Sequence, residues 1–178
     1  MSHTADHSSI TDRIVDYVNG TPNYSEGLHV IPRAHLAVVT CMDSRIEVSV
    51  TFGLQPGEAH ILRNAGGLIT TDTLRSLSLS QIQLGTREIM LIHHTDCGLH
   101  LTDEDDFKRR VVQDYGRKPL FSLGSFDDPY EDVYLSAQEI YASPFIPYTD
   151  RMRGFVYRVE TGRLDEVDLT SPPERAPI

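Results

Sequence analysis

Apolar positions recur at two spacings along this chain, and the two together predict helices set between short buried strands. In residues 9–19, Ile10, Ile14 and Val18 form a stripe at helical spacing, which marks an amphipathic helix. Ser9 and Asp12 stand as a capping pair at its start, and Gly20 ends it. Residues 20–33 carry Gly20, Pro22, Asn23, Gly27 and Pro32 and read as an irregular arm. Helix and arm together pack either on this domain or across a second subunit. Three apolar runs follow: Leu36-Ala37-Val38-Val39 within 35–40, a weaker run at 59–62, and Ile89-Met90-Leu91-Ile92 within 88–93. The first and third read as buried strands and the second as a weaker strand. Between them the pattern predicts a short helix over 46–53, ended by Gly53, and a longer one over 71–84, closed by Gly85. Strands alternating with helices imply right-handed crossovers and a parallel sheet.

The second half continues the alternation. Thr102 opens a helix in which Asp103, Glu104, Asp105 and Asp106 precede Lys108, Arg109 and Arg110. That order suits the helix dipole, and the charge run reads as a solvated face. Asp128 is placed to cap a helix that has Pro129 in its first turn and runs to about residue 141. Residues 154–160, a Thr161-Gly162 turn and residues 163–167 read as a hairpin. Residues 171–178 are Pro-rich and read as a loose tail.

Composition narrows the class. A chain of 178 residues suits one domain over 1–178. With 39% hydrophobic and 24% charged residues it is not globally disordered. Sixteen basic against 26 acidic residues give a net charge of −10, which argues against nucleic acid or an anionic membrane as partner. No apolar run approaches the ~20 residues of a membrane span. Residues 1–9 are polar and lack the hydrophobic stretch of a secretory signal. Two cysteines cannot build a disulfide scaffold. The expected compartment is therefore cytoplasmic, where thiols stay reduced.

The two cysteines carry the chemistry. Cys41 and Cys97 both fall just past predicted parallel strands, and in open α/β sheets sites form beyond the carboxyl ends of strands. His94 lies three residues before Cys97, so both side chains reach one ion. Two thiolates and an imidazole suit Zn²⁺, and three protein ligands leave a fourth position open, as catalytic sites do. The rival readings are two buried free cysteines, or a Cys41–Cys97 disulfide that the compartment disfavours. In Cys41-Met42-Asp43-Ser44-Arg45, Asp43 and Arg45 are spaced to pair. Beside a metal, a carboxylate so held orients a water or accepts its proton; otherwise it is an Asx turn with a surface ion pair. Arg63-Asn64-Ala65-Gly66-Gly67 is either a plain glycine turn or a set of amides lining a small anion or oxyanion site. It lacks the G-x-G-x-x-G spacing of a dinucleotide binder.

Taken in order, Cys41-x-Asp43-x-Arg45, Arg63-Asn64-Ala65-Gly66 and His94-Thr95-x-Cys97-Gly98 resemble the β-class carbonic anhydrases over about residues 35–100. The acidic-then-basic helix and Arg153-Gly154-Phe155-Val156 look like the family's short bacterial and fungal members. The resemblance implies an α/β fold: a parallel central sheet flanked by helices, with an added C-terminal strand and an N-terminal helical arm. It implies one Zn²⁺ per chain, held by Cys41, His94 and Cys97, with Asp43 and Arg45 as the catalytic dyad beside it. Zinc-bound hydroxide would attack CO2 and release bicarbonate. Gly98, with Gly66 and Leu99, would contact the substrate, and His93 and His100 are candidate proton shuttles. In some members the aspartate takes the fourth position and closes the site. The family unit is a homodimer, or a homotetramer built from it, with residues 1–33 as the dimerising arm.

Three features depart from the family pattern. No Gln precedes Gln55, Pro32 stands where many members place a substrate-contacting glutamine, and the chain has no Trp. Leu99-His100-Leu101 lies where the pocket wall belongs. The resembling subgroup includes enzymes acting on carbonyl sulfide and carbon disulfide, so carbonyl sulfide hydrolysis to H2S and CO2 is the alternative activity. A non-catalytic zinc-binding dimer, closed by Asp43, is the alternative from another class.

Overall fold

The computed structural model describes residues 9–173. Eleven residues, Ile10–Gly20, form α1, and the predicted capping box is present: the Ser9 hydroxyl accepts from the Asp12 amide while the Asp12 carboxylate accepts from the Ser9 amide. Then come β1 (Leu36–Cys41), α2 (Val48–Phe52), β2 (Ala59–Asn64), a 3₁₀ turn (Ala65–Gly67), α3 (Thr71–Ile82) and β3 (Glu88–His94). The chain continues through α4 (Glu104–Tyr115), α5 (Pro129–Ala142), β4 (Met152–Arg158) and β5 (Arg163–Val167). Residues 174–178, most of the expected tail, lie outside the described residues.

Five strands make one sheet in the order β2-β1-β3-β4-β5. The first four are parallel, and β5 returns antiparallel to β4, with Gly162 at φ 68° in the connecting turn. Alternate strand residues serve opposite faces. Ala37, Val39, Ile89 and Leu91 pack under Leu77 of α3 and Ala137 and Ile140 of α5. Val38 and Ile92 point the other way, toward Ile46, Val48 and Phe52 around α2.

The differences from the sequence reading sit at element ends. Helix α4 starts after Asp103, whose carboxylate accepts from the Asp106 amide. Thr102 instead donates its hydroxyl to the Gly98 carbonyl. Strand β4 begins two residues before Gly154, because β3 extends pairing back to Ile89↔Met152. The acidic-basic run is a solvated face: α4 buries none of its residues. Lys108 pairs with Glu104, and Arg109 with Asp106 at 3.0 Å. Helix α1 also buries none, so Ile10, Ile14 and Val18 face outward and the arm helix does not pack on its own chain.

Gly154 shows how closely α5 lies on β4. A Cβ there would sit 2.4 Å from Val133 Cγ1 and 2.8 Å from Leu169 Cδ2. Gly154→Ala should therefore lower stability by about 1–3 kcal/mol through overpacking, read as a lower urea midpoint. An unchanged midpoint would mean that α5 is not seated as described.

Candidate metal centre

Two adjacent parallel strands build this centre. Cys41 ends β1, His94 ends β3, and Cys97 lies in the turn that follows. Pairing of Thr40 with Ile92 sets both strand ends on the same rim. The Cys41 and Cys97 sulfurs lie 3.9 Å apart. With a ring nitrogen of His94 they form a buried cluster whose ligand atoms all lie within 4.8 Å of one another. Leu99, with partly buried Leu68, Leu123 and Phe126, surrounds the sulfurs with apolar side chains.

His94 gives the cluster its direction. Its Nδ1 lies 2.9 Å from the Thr95 carbonyl oxygen. That oxygen only accepts, so Nδ1 carries the proton and Nε2 presents a lone pair. Nε2 is buried and has no hydrogen-bond partner, an arrangement that costs free energy unless something satisfies it. A metal ion would. Two thiolates on a tetrahedral ion with bonds of about 2.3 Å stand about 3.8 Å apart, close to the 3.9 Å seen. Two sulfurs and one imidazole nitrogen are a donor set that fits zinc.

The thiols are prepared for such a role. Cys41 is held well below the usual thiol range, chiefly by a hydrogen bond from Cys97, helped by His94 and by the amides of Asp43 and Gly66 against the effect of burial. Cys97 is pushed up because it supplies that bond and is buried beside it. The pair thus shares one proton, which a metal would displace. Burial disfavours a charged His94, but the Cys41 sulfur, the Thr95 carbonyl and the Asp43 charge together outweigh it and raise its pKa.

Beside the cluster, Asp43 and Arg45 pair as their spacing predicts. Asp43 Oδ1 accepts from the Arg45 amide at 2.9 Å and from Nε at 3.0 Å, and Oδ2 accepts from Nη2 at 2.8 Å. These bonds hold the Asp43 carboxyl down at about 2. Asp43 is outside the three-residue cluster, although Oδ2 comes within 3.8 Å of His94 Nε2. Two further residues complete the surroundings: Asp96, which the sequence reading passed over, and Arg63, which its glycine-turn motif contained without a role. Asp96 accepts from Arg45 Nη1 at 2.6 Å, and its place between His94 and Cys97 was the only signal available. Arg63 donates to the carbonyls of Cys41 and Asp43 at 2.9 and 2.7 Å, fixing the turn that carries the dyad.

The centre opens on a cleft of about 710 Å³ whose lining includes Cys41, Asp43, Gly66, Gly98, Leu99, Leu101, Phe107 and Leu123. Gly66 has φ 80°, and a Cβ there would meet Leu99 Cδ2 at 2.6 Å. Gly66 lines the same cleft as Cys41 and Gly98. The two candidate shuttles do not border the cleft. His93 is buried, with Nδ1 3.2 Å from Asp132 Oδ2 and Nε2 3.3 Å from the Gly67 carbonyl. It is a packed histidine, with no access to solvent of the kind a relay needs. His100 stacks on Phe126, as does His93, at centroid distances of 5.8 and 5.7 Å. No helix among the described residues is long and apolar enough to cross a membrane.

Comparison with known proteins places the chain among similar sequences and folds. A family model for carbonic anhydrase matches residues 36–113. Beta-carbonic anhydrase 1 of Mycobacterium tuberculosis is 44% identical over 163 residues, covering 89% of this chain and 98% of that protein. Carbon disulfide hydrolase of an Acidianus species is 37% identical over 180 residues, covering 85% of this chain and 84% of that protein. The crystal structure of carbonic anhydrase from Streptococcus mutans superposes with a TM-score of 0.81 at 38% identity, covering 90% and 99% of the two chains.

Two outcomes follow. Cys41→Ser and His94→Ala should each bind less than about a tenth of the zinc of the parent chain, with lower thermal stability, because metal binding couples to folding; full metal content in either removes that residue from the centre. Arg45→Met should be less stable than the parent. Because the Asp43 pKa is depressed from 3.8 to about 2, the pair's contribution is full above the unfolded value and is lost as pH falls through the folded one. The stability gap should therefore be flat above about pH 5 and shrink toward pH 2 in urea titrations. A gap that does not change with pH contradicts the pairing.

Proposed function

The chain belongs to the β-carbonic anhydrase family, and from that premise we propose that it is a zinc enzyme that hydrates carbon dioxide to bicarbonate. One observation carries the reading: the buried cluster of two cysteine sulfurs and a His94 ring nitrogen, whose ligand atoms all lie within 4.8 Å of one another. Cys41, His94 and Cys97 are the residues that would hold one zinc ion per chain. Bound there, zinc supplies the Lewis acidity that makes a water molecule acidic near neutral pH.

The chain's own residues do the rest. Asp43 is ionised above about pH 2, so near neutrality it is too weak a base to retain a proton. It serves as a fixed acceptor that orients the attacking water by a hydrogen bond. Arg45 keeps this carboxylate charged and aimed by gripping both oxygens. Leu99, Leu101, Phe107 and Leu123 give the cleft an apolar wall, which suits an uncharged linear molecule and offers bicarbonate little to bind. The Gly98 backbone borders the same cleft and is read as the contact for a substrate or product oxygen. The proton released leaves through water in the cleft.

The same apolar wall, with a carbon disulfide hydrolase relative at 37% identity, favours a second reading, in which carbonyl sulfide and water give H2S and CO2. A closed, non-catalytic zinc site is disfavoured, because Arg45 occupies both Asp43 oxygens. The outward apolar stripe of α1 supports a second copy of the chain as its cover, in a homodimer or larger assembly.

Turnover of CO2 and carbonyl sulfide, measured side by side on one zinc-loaded preparation, tests the assignment. Fast bicarbonate formation with slow sulfide release is expected; the reverse ratio selects the second reading, and activity on neither refutes both. Asp43→Ala should keep its zinc and lose about a hundredfold in kcat through lost positioning of the water. Unaltered turnover would remove Asp43 from the reaction.

A further inference from the structure

Resting on the metal-centre reading above, we infer that Asp96 is a positioning residue that anchors Arg45 and thereby keeps the Asp43 carboxylate off the Cys41–His94–Cys97 cluster. The backbone gives the first indication. Asp96 has φ 54°, one of two non-glycine residues in the left-handed region among those described. That conformation is uncommon for a side-chain-bearing residue, though Asp takes it more readily than most, and surrounding contacts hold it in place. Here the turn brings two oxygens of one residue to one guanidinium. Arg45 Nη1 donates to Asp96 Oδ2 at 2.6 Å, and Nη2 donates to the Asp96 carbonyl at 2.8 Å. The turn is itself tied down by Thr95, whose hydroxyl donates to Glu160 at 2.6 Å and accepts from the Val159 amide at 3.0 Å.

Arg45 needs such an anchor. Its side chain is 48% exposed, and an exposed ion pair with a single carboxylate is weak and readily exchanged for water. Asp43 is only 14% exposed, and its Oδ2 lies 3.8 Å from His94 Nε2. A carboxylate released there has a short path toward any cation the cluster holds. With Asp96 fixing one edge of the guanidinium and Asp43 bound along the other, four donations set the arginine in one orientation. The geometry leaves Asp43 beside the cluster as an acceptor and does not make it a ligand.

The test uses the full chain loaded with cobalt(II), whose visible spectrum reports on ligands, and azide as the probe for an open coordination position. Asp96→Gly removes the carboxylate and relieves the backbone; Asp96→Asn keeps a neutral acceptor and tolerates the left-handed turn. Azide should bind Asp96→Gly at least about tenfold more weakly than the parent, with Asp96→Asn within about threefold of it. A crystal structure of metal-loaded Asp96→Gly should show Asp43 moved toward the metal. Parent-like azide affinity in Asp96→Gly overturns the inference. An equal loss in Asp96→Asn, which keeps the turn and a neutral acceptor, would still support it and would assign the anchoring of Arg45 to the charge of the carboxylate. If Asp96→Gly does not fold, Asp96→Ser, which cannot span the distance to Nη1, takes its place with the same expectation. A parent chain that binds no metal refutes the metal-centre reading itself, and is distinguished by metal content before azide is added.

Discussion

The register of β1 against β3 is the constraint on which everything at the rim depends. Leu36 pairs with Glu88 and Thr40 with Ile92, so the chain leaves both strands at one level, about 5 Å apart. Only then do residues separated by more than fifty positions bring two sulfurs and an imidazole into one buried cluster. A one-residue slip would turn Cys41 to the opposite face and scatter the donors. The apolar side chains that hold the register also exclude water beneath the centre: Val38 and Ile92 on one face, Val39 and Leu91 on the other.

Electrostatic order follows from that placement. Two thiols forced together share a proton, and a histidine with one nitrogen committed to a backbone carbonyl has the other free. Around them the structure holds charge in an outer ring: Asp43, Arg45 and Asp96 form a network, with Arg63 bracing the backbone beneath it. Two anionic sulfur ligands would cancel the formal charge of a divalent zinc, giving a softer Lewis acid than one held by three imidazoles. On the proposed reading, the oriented Asp43 carboxylate compensates by fixing the nucleophile.

Much of this was legible in the sequence, for physical reasons. Buried parallel strands are continuous apolar runs, so β1 and β3 announced themselves, and caps such as Ser9 and Asp128 marked helix starts within one or two residues. The donor residues were visible because thiols and an imidazole just past strand ends are chemically unusual. Less legible were contacts made by backbone geometry. Nothing in the one-letter string says that Asp96 takes a left-handed turn and reaches Arg45, since Asp at an exposed turn is ordinary. Nor did it reveal that His93 lies sealed between β3 and α5, because a histidine next to a metal ligand reads equally as a relay or as packing. The start of α4 was missed by two residues because Asp103 and Thr102 are both good caps, and Thr102 bonds back to Gly98.

The most direct test of the central claim is X-ray absorption at the zinc edge on the zinc-loaded chain. The account predicts four ligands: two sulfurs at about 2.3 Å and two light atoms at about 2.0–2.1 Å, one of them from a single imidazole. A shell of oxygens only, a single sulfur, or more than one imidazole would contradict it.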